Sequence, residues 1–226
     1  MVVPTMRKTQ FHMTDILPAT LLCLSLLSLS GCGSGGSDEQ LTVGNITDQY
    51  LSLAEKIDSS ALAPASDIPT TGSANYSGYV NTFVDTQSFG DGLIVGDLSL
   101  RIGFSGDGEV EGKVDDFVFI DLQDNSNNLP PRSDPVLSLD GRLNISGGSI
   151  TRATRTNPTQ FQANLAGGIT LPPSISGADS DATAQVAGKM NGDFVEGGVR
   201  GSIVATSAVP GLPGVPLDGS FGAERD

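Results

Sequence analysis

Residues 159–170 read "TQFQANLAGGIT". Phe161, Ala163, Leu165 and Gly167 alternate with Gln162, Asn164 and Ala166. A period of two places one set of side chains on one face of a strand and the other set on the opposite face. The same alternation recurs on either side. Tyr76, Gly78, Val80, Thr82 and Val84 mark residues 72–84, and Leu98, Leu100 and Ile102 mark residues 96–104. Val110, Gly112 and Val114 fall in residues 109–119, and Leu137, Leu139, Gly141, Leu143 and Ile145 in residues 136–146. Residues 182–195, 197–207 and 217–225 bring the candidate strands to eight. Gly106-Asp107-Gly108, Ser146-Gly147-Gly148 and Gly197-Gly198 carry turn chemistry between them. Sustained alternation of this kind predicts an antiparallel sheet with one buried face.

Glycine sharpens the expectation. The chain has 29, and Gly78, Gly96, Gly112, Gly141, Gly167, Gly188 and Gly201 stand inside strand patterns. Glycine inside a strand weakens a flat sheet but permits bulges and tight bends. Repeated in strand after strand, it predicts a sheet rolled until its edges meet. The expected fold is all-β, an eight-stranded antiparallel up-and-down soluble barrel, with a two-sheet sandwich as the competing arrangement. Eight strands enclose space that side chains fill, or that holds one small ligand. A barrel crossing a membrane needs an outward apolar band with aromatic girdles. This chain has no Trp, three Tyr and nine Phe. Its outward strand positions carry Arg101, Glu109, Lys113, Asp115, Gln160, Gln185 and Lys189.

The N-terminus follows a different logic. Arg7 and Lys8 precede a mostly apolar run from Ile16 to Leu29. That run is short of the roughly 20 residues a spanning helix needs and suits the apolar core of a secretory signal, ~7–15 residues. It ends Leu29-Ser30-Gly31-Cys32, and a Gly/Ser track follows. This order resembles the bacterial lipobox, which implies cleavage between Gly31 and Cys32 and a diacylglycerol on the Cys32 sulfur. The expected organisation is a signal peptide at 1–31, a tether with one short helix at 32–70, and the barrel at 71–226. The helix is expected at about 47–59, with Thr47 or Asp48 as its cap and Tyr50, Leu53, Ala54 and Ile57 on one stripe. Gly33 follows the cysteine where an Asp would favour the inner membrane. The expected location is therefore the outer membrane of a Gram-negative bacterium, by lipid anchor, with the cell surface as one facing.

Composition excludes several chemistries. Cys23 and the single histidine, His12, lie in the signal, and Cys32 is taken by lipid. The mature chain then has no intramolecular disulfide, no Ser-His-Asp or Cys-His site and no His/Cys zinc site. Neither a phosphate-binding Gly-Lys-Ser/Thr loop nor a dinucleotide-binding glycine signature occurs. A carboxylate pair for glycoside hydrolysis remains open in principle, though no pair stands out. No metal and no cofactor are expected. The acidic loops around Asp107 and Glu109, Asp121 and Asp124, and Asp179 and Asp181 do not fit the calcium-loop spacing, and solvated turns account for them. The net charge of −14 repels nucleic acid and anionic head groups, so the acyl chains alone must hold the protein at the bilayer.

Two connections exceed what a hairpin needs: residues 121–135, with "NNLPPRSDP", and residues 207–216, "SAVPGLPGVP". Long loops on a rigid scaffold commonly carry binding. Leu129, Pro130, Pro131 and Arg132 in the first, and Val209, Leu212 and Val215 in the second, are the exposed contact candidates. Passive connectors are the alternative for both.

Three stretches also carry a family resemblance. "IPTTGSANYSGYV" (68–80) resembles the opening strand of the transferrin-binding-protein-B-like barrel domain. "GDFVEGGVRGSIV" (192–204) is similar to its late hairpin, and "LDGSFGAERD" (217–226) to its closing strand. The resemblance implies an eight-stranded barrel on a surface lipoprotein that binds a host protein or a solute. One barrel's worth of sequence is present, and Phe194-Val195-Glu196-Gly197 replaces the family's aromatic-Gly-Pro. Transferrin binding is therefore not implied. The expected function is non-catalytic binding by a monomer, of a host protein or small solute; a structural envelope lipoprotein without a ligand is the alternative.

Overall fold

The computed structural model describes residues 41–86, 90–122, 129–155, 157–176, 179–209 and 214–226. Gly31, Cys32, the signal peptide, the tether to residue 40, Asp124 and Leu212 lie outside the described residues. A helix, α1 (Val43–Ser59), precedes β1 (Ser73–Thr86), β2 (Gly90–Gly103), β3 (Glu109–Asp121), β4 (Leu137–Leu139), β5 (Gly141–Thr151) and β6 (Gln160–Leu171). A single helical turn, α2 (Pro173–Ser176), then leads into β7 (Ala182–Val195), β8 (Gly198–Ala208) and β9 (Val215–Arg225).

Every neighbouring pair is antiparallel, and β9 pairs with β1 to close the sheet. The short β4 and the longer β5 both pair with β3, so together they make one barrel strand interrupted at Asp140. The fold is thus an eight-stranded up-and-down barrel. Followed round the sheet from Tyr76, the register passes Leu100, Gly112, Ile145, Leu165, Gly188 and Ala205 to Leu217. Leu217 lies beside the far end of β1, not beside Tyr76 again. The strands are therefore strongly tilted, as closure of a small barrel requires.

Alternation decides which side chains fill the interior. Leu98, Leu100 and Ile102, Val110 and Val114, Phe161 and Leu165, Met190, Val199, Ile203 and Phe221 all point inward and are buried. Glycine allows strands to approach where curvature is sharpest. A Cβ on Gly112 would lie 2.1 Å from the Ser99 carbonyl, and one on Gly188 would lie 2.4 Å from Ala205 Cβ. Two irregularities reset the pattern. At Asp116 (φ 51°) the chain bulges opposite the Val95/Asp97 shift, and Phe117 and Phe119 turn inward beyond it. Asp is among the few non-glycine residues that tolerate this left-handed conformation.

The second irregularity corrects an expectation. Ser146-Gly147-Gly148 is not a turn between strands but a bulge inside β5, with Gly147 at φ 61° and the register shifting between Ser146 and Ser149. One extra residue is accommodated there, and the strand continues to Thr151.

Helix α1 begins earlier than the sequence pattern suggested. Thr42, not Thr47 or Asp48, is the cap: its hydroxyl accepts from the Asn45 amide, and the Asn45 side chain accepts from the Thr42 amide at 3.0 Å. These reciprocal bonds satisfy two amide groups at the helix start. The helix lies along the outside of the barrel. Its first half covers outward-facing Val95, Val118, Ile120 and Leu122 with Val43 and Ile46. Its last turn seats Ile57, 1% exposed, over Gly198 and Gly222.

The end at which β3, β6 and β8 finish is here termed the loop end, and the opposite one the hairpin end. Ile175 of α2 and Val209 join the core at the loop end. At the hairpin end, residues 61–72 run along the rim: Ala63 N donates to Phe194 O (2.9 Å), and Glu196 N to Ala61 O (2.9 Å). Arg152 ties the rim together by donating to the carbonyls of Pro69 and Phe104, both at 2.7 Å.

Candidate binding surface

The barrel interior is filled. Phe104, Phe194, Phe161 and Phe221 stack edge-on or tilted towards the hairpin end, with ring centroids 5.6–6.0 Å apart. Among the described residues, largely apolar voids of about 30 Å³ lie beside Ile175 and Val215 and between Phe117, Leu143 and Ile203. Each has room for about one water, and apart from Ser207 in the first and Thr82 in the second the linings are apolar. The larger hollows among the described residues lie on the outside.

The first predicted loop is partly committed to the protein itself. Leu129 and Pro131 are exposed and Pro130 is half-buried. Arg132 is exposed but not free, because its guanidinium donates to both carboxylate oxygens of Asp48 at 2.6 Å. Gly44 N donates to Arg132 O (2.8 Å), Val43 N to Asp134 O (2.9 Å) and Val136 N to Leu41 O (3.1 Å). The open amides at the start of α1 are thus satisfied by loop carbonyls, which fixes the loop against the helix. The second loop departs from expectation. Val209 is 7% exposed and belongs to the core, so it is not a contact residue. Val215 is half-buried at the start of β9.

Under α1 lies a half-buried polar seam. Tyr50 donates its hydroxyl to Asp97 and packs edge-on against Tyr79, with centroids 5.8 Å apart. Burial, and then the hydrogen bond to Asp97, hold the Tyr50 phenol far above its ordinary value. Burial also pushes Tyr79 up to about 12, with Asp58 adding to the shift. Lys56 pairs with Glu224, and Arg200 donates to the carbonyls of Ile57 and Asp58 at the helix end. These groups fasten the helix.

Two troughs cross the outer sheet. The larger, of about 580 Å³, runs across β1, β2, β3 and β5 over the register row Tyr76–Leu100–Gly112–Ile145. Asn75, Arg101, Glu111 and Ser146 form one wall, and Ser77, Ser99, Lys113 and Asn144 the other. The smaller, of about 400 Å³, crosses β6, β7 and β8 between Gln160 and Asp193 on one side and Gln162, Asn191 and Ser202 on the other. There Gln160 is already bonded to Asp193 at 2.8 Å. A third hollow of about 280 Å³ sits at the hairpin end beside Tyr76, Glu196 and Arg225. Burial raises the Tyr76 phenol, and Arg225 partly offsets that rise.

Strand alternation places Arg101, Lys113 and Gln160 outward but does not show that they and their polar neighbours line troughs, because the walls are the polar halves of ordinary strands. Their signal was chemical, not periodic: amides and hydroxyls interspersed with Arg101, Glu111 and Lys113 at outward positions of adjacent strands. Among the described residues, no group of three or more His, Cys, Asp or Glu side chains is placed to hold a metal ion. No described helix is long and apolar enough to cross a membrane. No family model, no curated protein and no solved structure matches the chain.

Proposed function

We propose that the chain is a lipid-anchored outer-membrane protein that binds its partner, a host protein or a solute, on the outside of the barrel and without catalysis. The observation that carries the reading is the order basic pair, apolar run, Leu29-Ser30-Gly31-Cys32, Gly/Ser track. The filled interior adds to it, since voids of about 30 Å³ leave no lumenal site for a solute. The stretches that resemble the transferrin-binding-protein-B-like domain fall on β1, the β7–β8 hairpin and β9. These are consecutive neighbours in the closed sheet, as parts of one inherited unit would be.

Orientation follows from where the tether joins. Leu41 and Thr42 meet Val136 and Pro135 at the loop end. Nine residues, 32–40, separate Cys32 from Leu41 inclusive of the cysteine, a chain length that spans at most roughly 30 Å. On this reading the loop end faces the bilayer and the hairpin end faces away. The predicted contact loop at 129–132 then lies on the membrane side, and binding falls to the outer wall and the hairpin end.

Labelled palmitate tests the anchor. The parent chain should take up label and Cys32→Ser should not; equal incorporation would sink the reading. Protease shaving of intact cells tests the facing. Cleavage in the barrel's exposed connections indicates the cell surface, and protection until the outer membrane is opened indicates the periplasm.

A further inference from the structure

We propose that the larger trough is a binding site for a neutral oligosaccharide lying across the strands. The inference rests on the binding role proposed above and supplies its ligand class. Asn75, Ser77, Ser99, Asn144 and Ser146 are exposed, and their side chains make no hydrogen bond within the described residues. They present donors and acceptors together, the mixture that a chain of hydroxyl and acetamido groups matches. A ligand that is all acceptor or all donor would leave half of them unused.

Charge selects the same class. In a chain of net charge −14, this trough is balanced. Arg101 faces Glu111 at 3.9 Å, and Lys113 holds Asp115 at 2.7 Å with Arg142 at 3.2 Å from the same carboxylate. Asp226 also lines the trough, so the three cations Arg101, Lys113 and Arg142 stand against the three carboxylates Glu111, Asp115 and Asp226, and neither an anionic nor a cationic ligand meets a net counter-charge there. Geometry disfavours a peptide. Strand addition needs a free sheet edge, and closure of β9 on β1 removes the edges. The trough also runs across the strands, so its polar groups recur at the inter-strand spacing of roughly 4.8 Å. One pyranose unit of an extended β-linked chain has a similar length.

The aromatic ring in the lining, Tyr76, is buried in the trough floor and offers no open face for a sugar to stack on, so hydrogen bonds carry the affinity and it is weak. The smaller trough is the poorer candidate, because one of its amides is already taken by Asp193.

The test titrates the full chain, in detergent, with cellotetraose and with the tetramer of β-1,4-linked N-acetylglucosamine, read by side-chain amide NMR. A sulfated tetrasaccharide serves as the charged comparison. Saturable shifts at the Asn75 and Asn144 amides with at least one neutral tetramer are expected. Asn75→Ala with Asn144→Ala should weaken that binding about tenfold, the loss of two hydrogen bonds, with the melting temperature unchanged. The proposal is overturned by no saturation with either neutral tetramer, by tighter binding of the sulfated sugar, or by undiminished binding in the double variant. Palmitate labelling of Cys32 is a separate readout, so failure of the sugar site leaves the anchor standing and the converse holds equally.

Discussion

Arg132 grips Asp48 through both carboxylate oxygens at 2.6 Å, and that contact joins a loop to the helix that straps the barrel. The side chains are 62% and 72% exposed, so water and salt screen the pair heavily. The backbone bonds beneath it matter more. Gly44 N donates to Arg132 O, and a Cβ on Gly44 would approach that oxygen to 2.9 Å.

Arg132→Ala is therefore expected to lower stability by less than about 1 kcal/mol. Gly44→Ala forces the loop carbonyl to move and is expected to cost about 1–3 kcal/mol. Urea denaturation of both variants checks the order. A larger loss in Arg132→Ala would show that the ion pair, not the backbone, fixes the loop.

A second expectation concerns the filled interior. Phe221 is 2% exposed and meets Phe161 at 5.9 Å. Phe221→Ala should cost about 3–5 kcal/mol, combining lost burial with the cavity left behind. Gly112→Val should be worse, since its Cβ would lie 2.1 Å from the Ser99 carbonyl of the neighbouring strand. Neither β2 nor β3 can yield without opening the barrel. Loss of the cooperative thermal transition in Gly112→Val is the expected outcome. A folded Gly112→Val protein would mean that closure does not depend on this approach.

The barrel was legible in the sequence because its defining signal is local. Alternation along 159–170 sets which side chains face inward whatever the neighbouring strands do, and the structure places Phe161, Ala163 and Leu165 in the core accordingly. What escaped needed two strands, or a helix and a strand, to be seen together. The unbroken apolar runs Leu93–Val95 and Phe117–Ile120 break alternation because α1 buries the outer face as well as the inner. The early start of α1 depended on Asn45 reaching back to Thr42, a reciprocal pair that helical periodicity does not encode. Ser146-Gly147-Gly148 reads as a turn in one dimension, and only the pairing of β5 with β6 on both sides makes it a bulge. Val209 looked free beside Pro210, yet it closes the core at the loop end.

Docking of the helix can be tested at its far end. Ile57 is 1% exposed and sits where Gly198 and Gly222 leave room; a Cβ on Gly198 would lie 2.6 Å from Ile57 Cδ1. Ile57→Ala should lower stability by about 2–5 kcal/mol and expose the helix ahead of the barrel. Limited proteolysis should then cut within 43–59 while the strands remain protected. Simultaneous digestion of helix and barrel would show that the strap is part of one cooperative unit.

The tyrosine seam predicts a one-sided dependence on pH. Tyr79 rises from 10.0 to about 12 on folding, and Tyr50 is raised further by burial and by donating to Asp97. Both phenols are favoured in their neutral form in the folded state, so the unfolded chain releases these protons first. Their contribution is complete below about pH 10 and falls as pH rises from there, at about 1.4 kcal/mol per unit for a fully shifted group. For Tyr79 the fall ends near pH 12, a loss of at most about 2–3 kcal/mol. Tyr50 continues to destabilise above that. The melting temperature should hold between pH 7 and 9 and drop by pH 11.5, with helical circular dichroism decaying first. Tyr79→Phe removes one titrating group while keeping the ring against Tyr50, and should flatten the alkaline limb. An unchanged limb in Tyr79→Phe would show that Tyr79 does not set the alkaline loss and leave it to Tyr50.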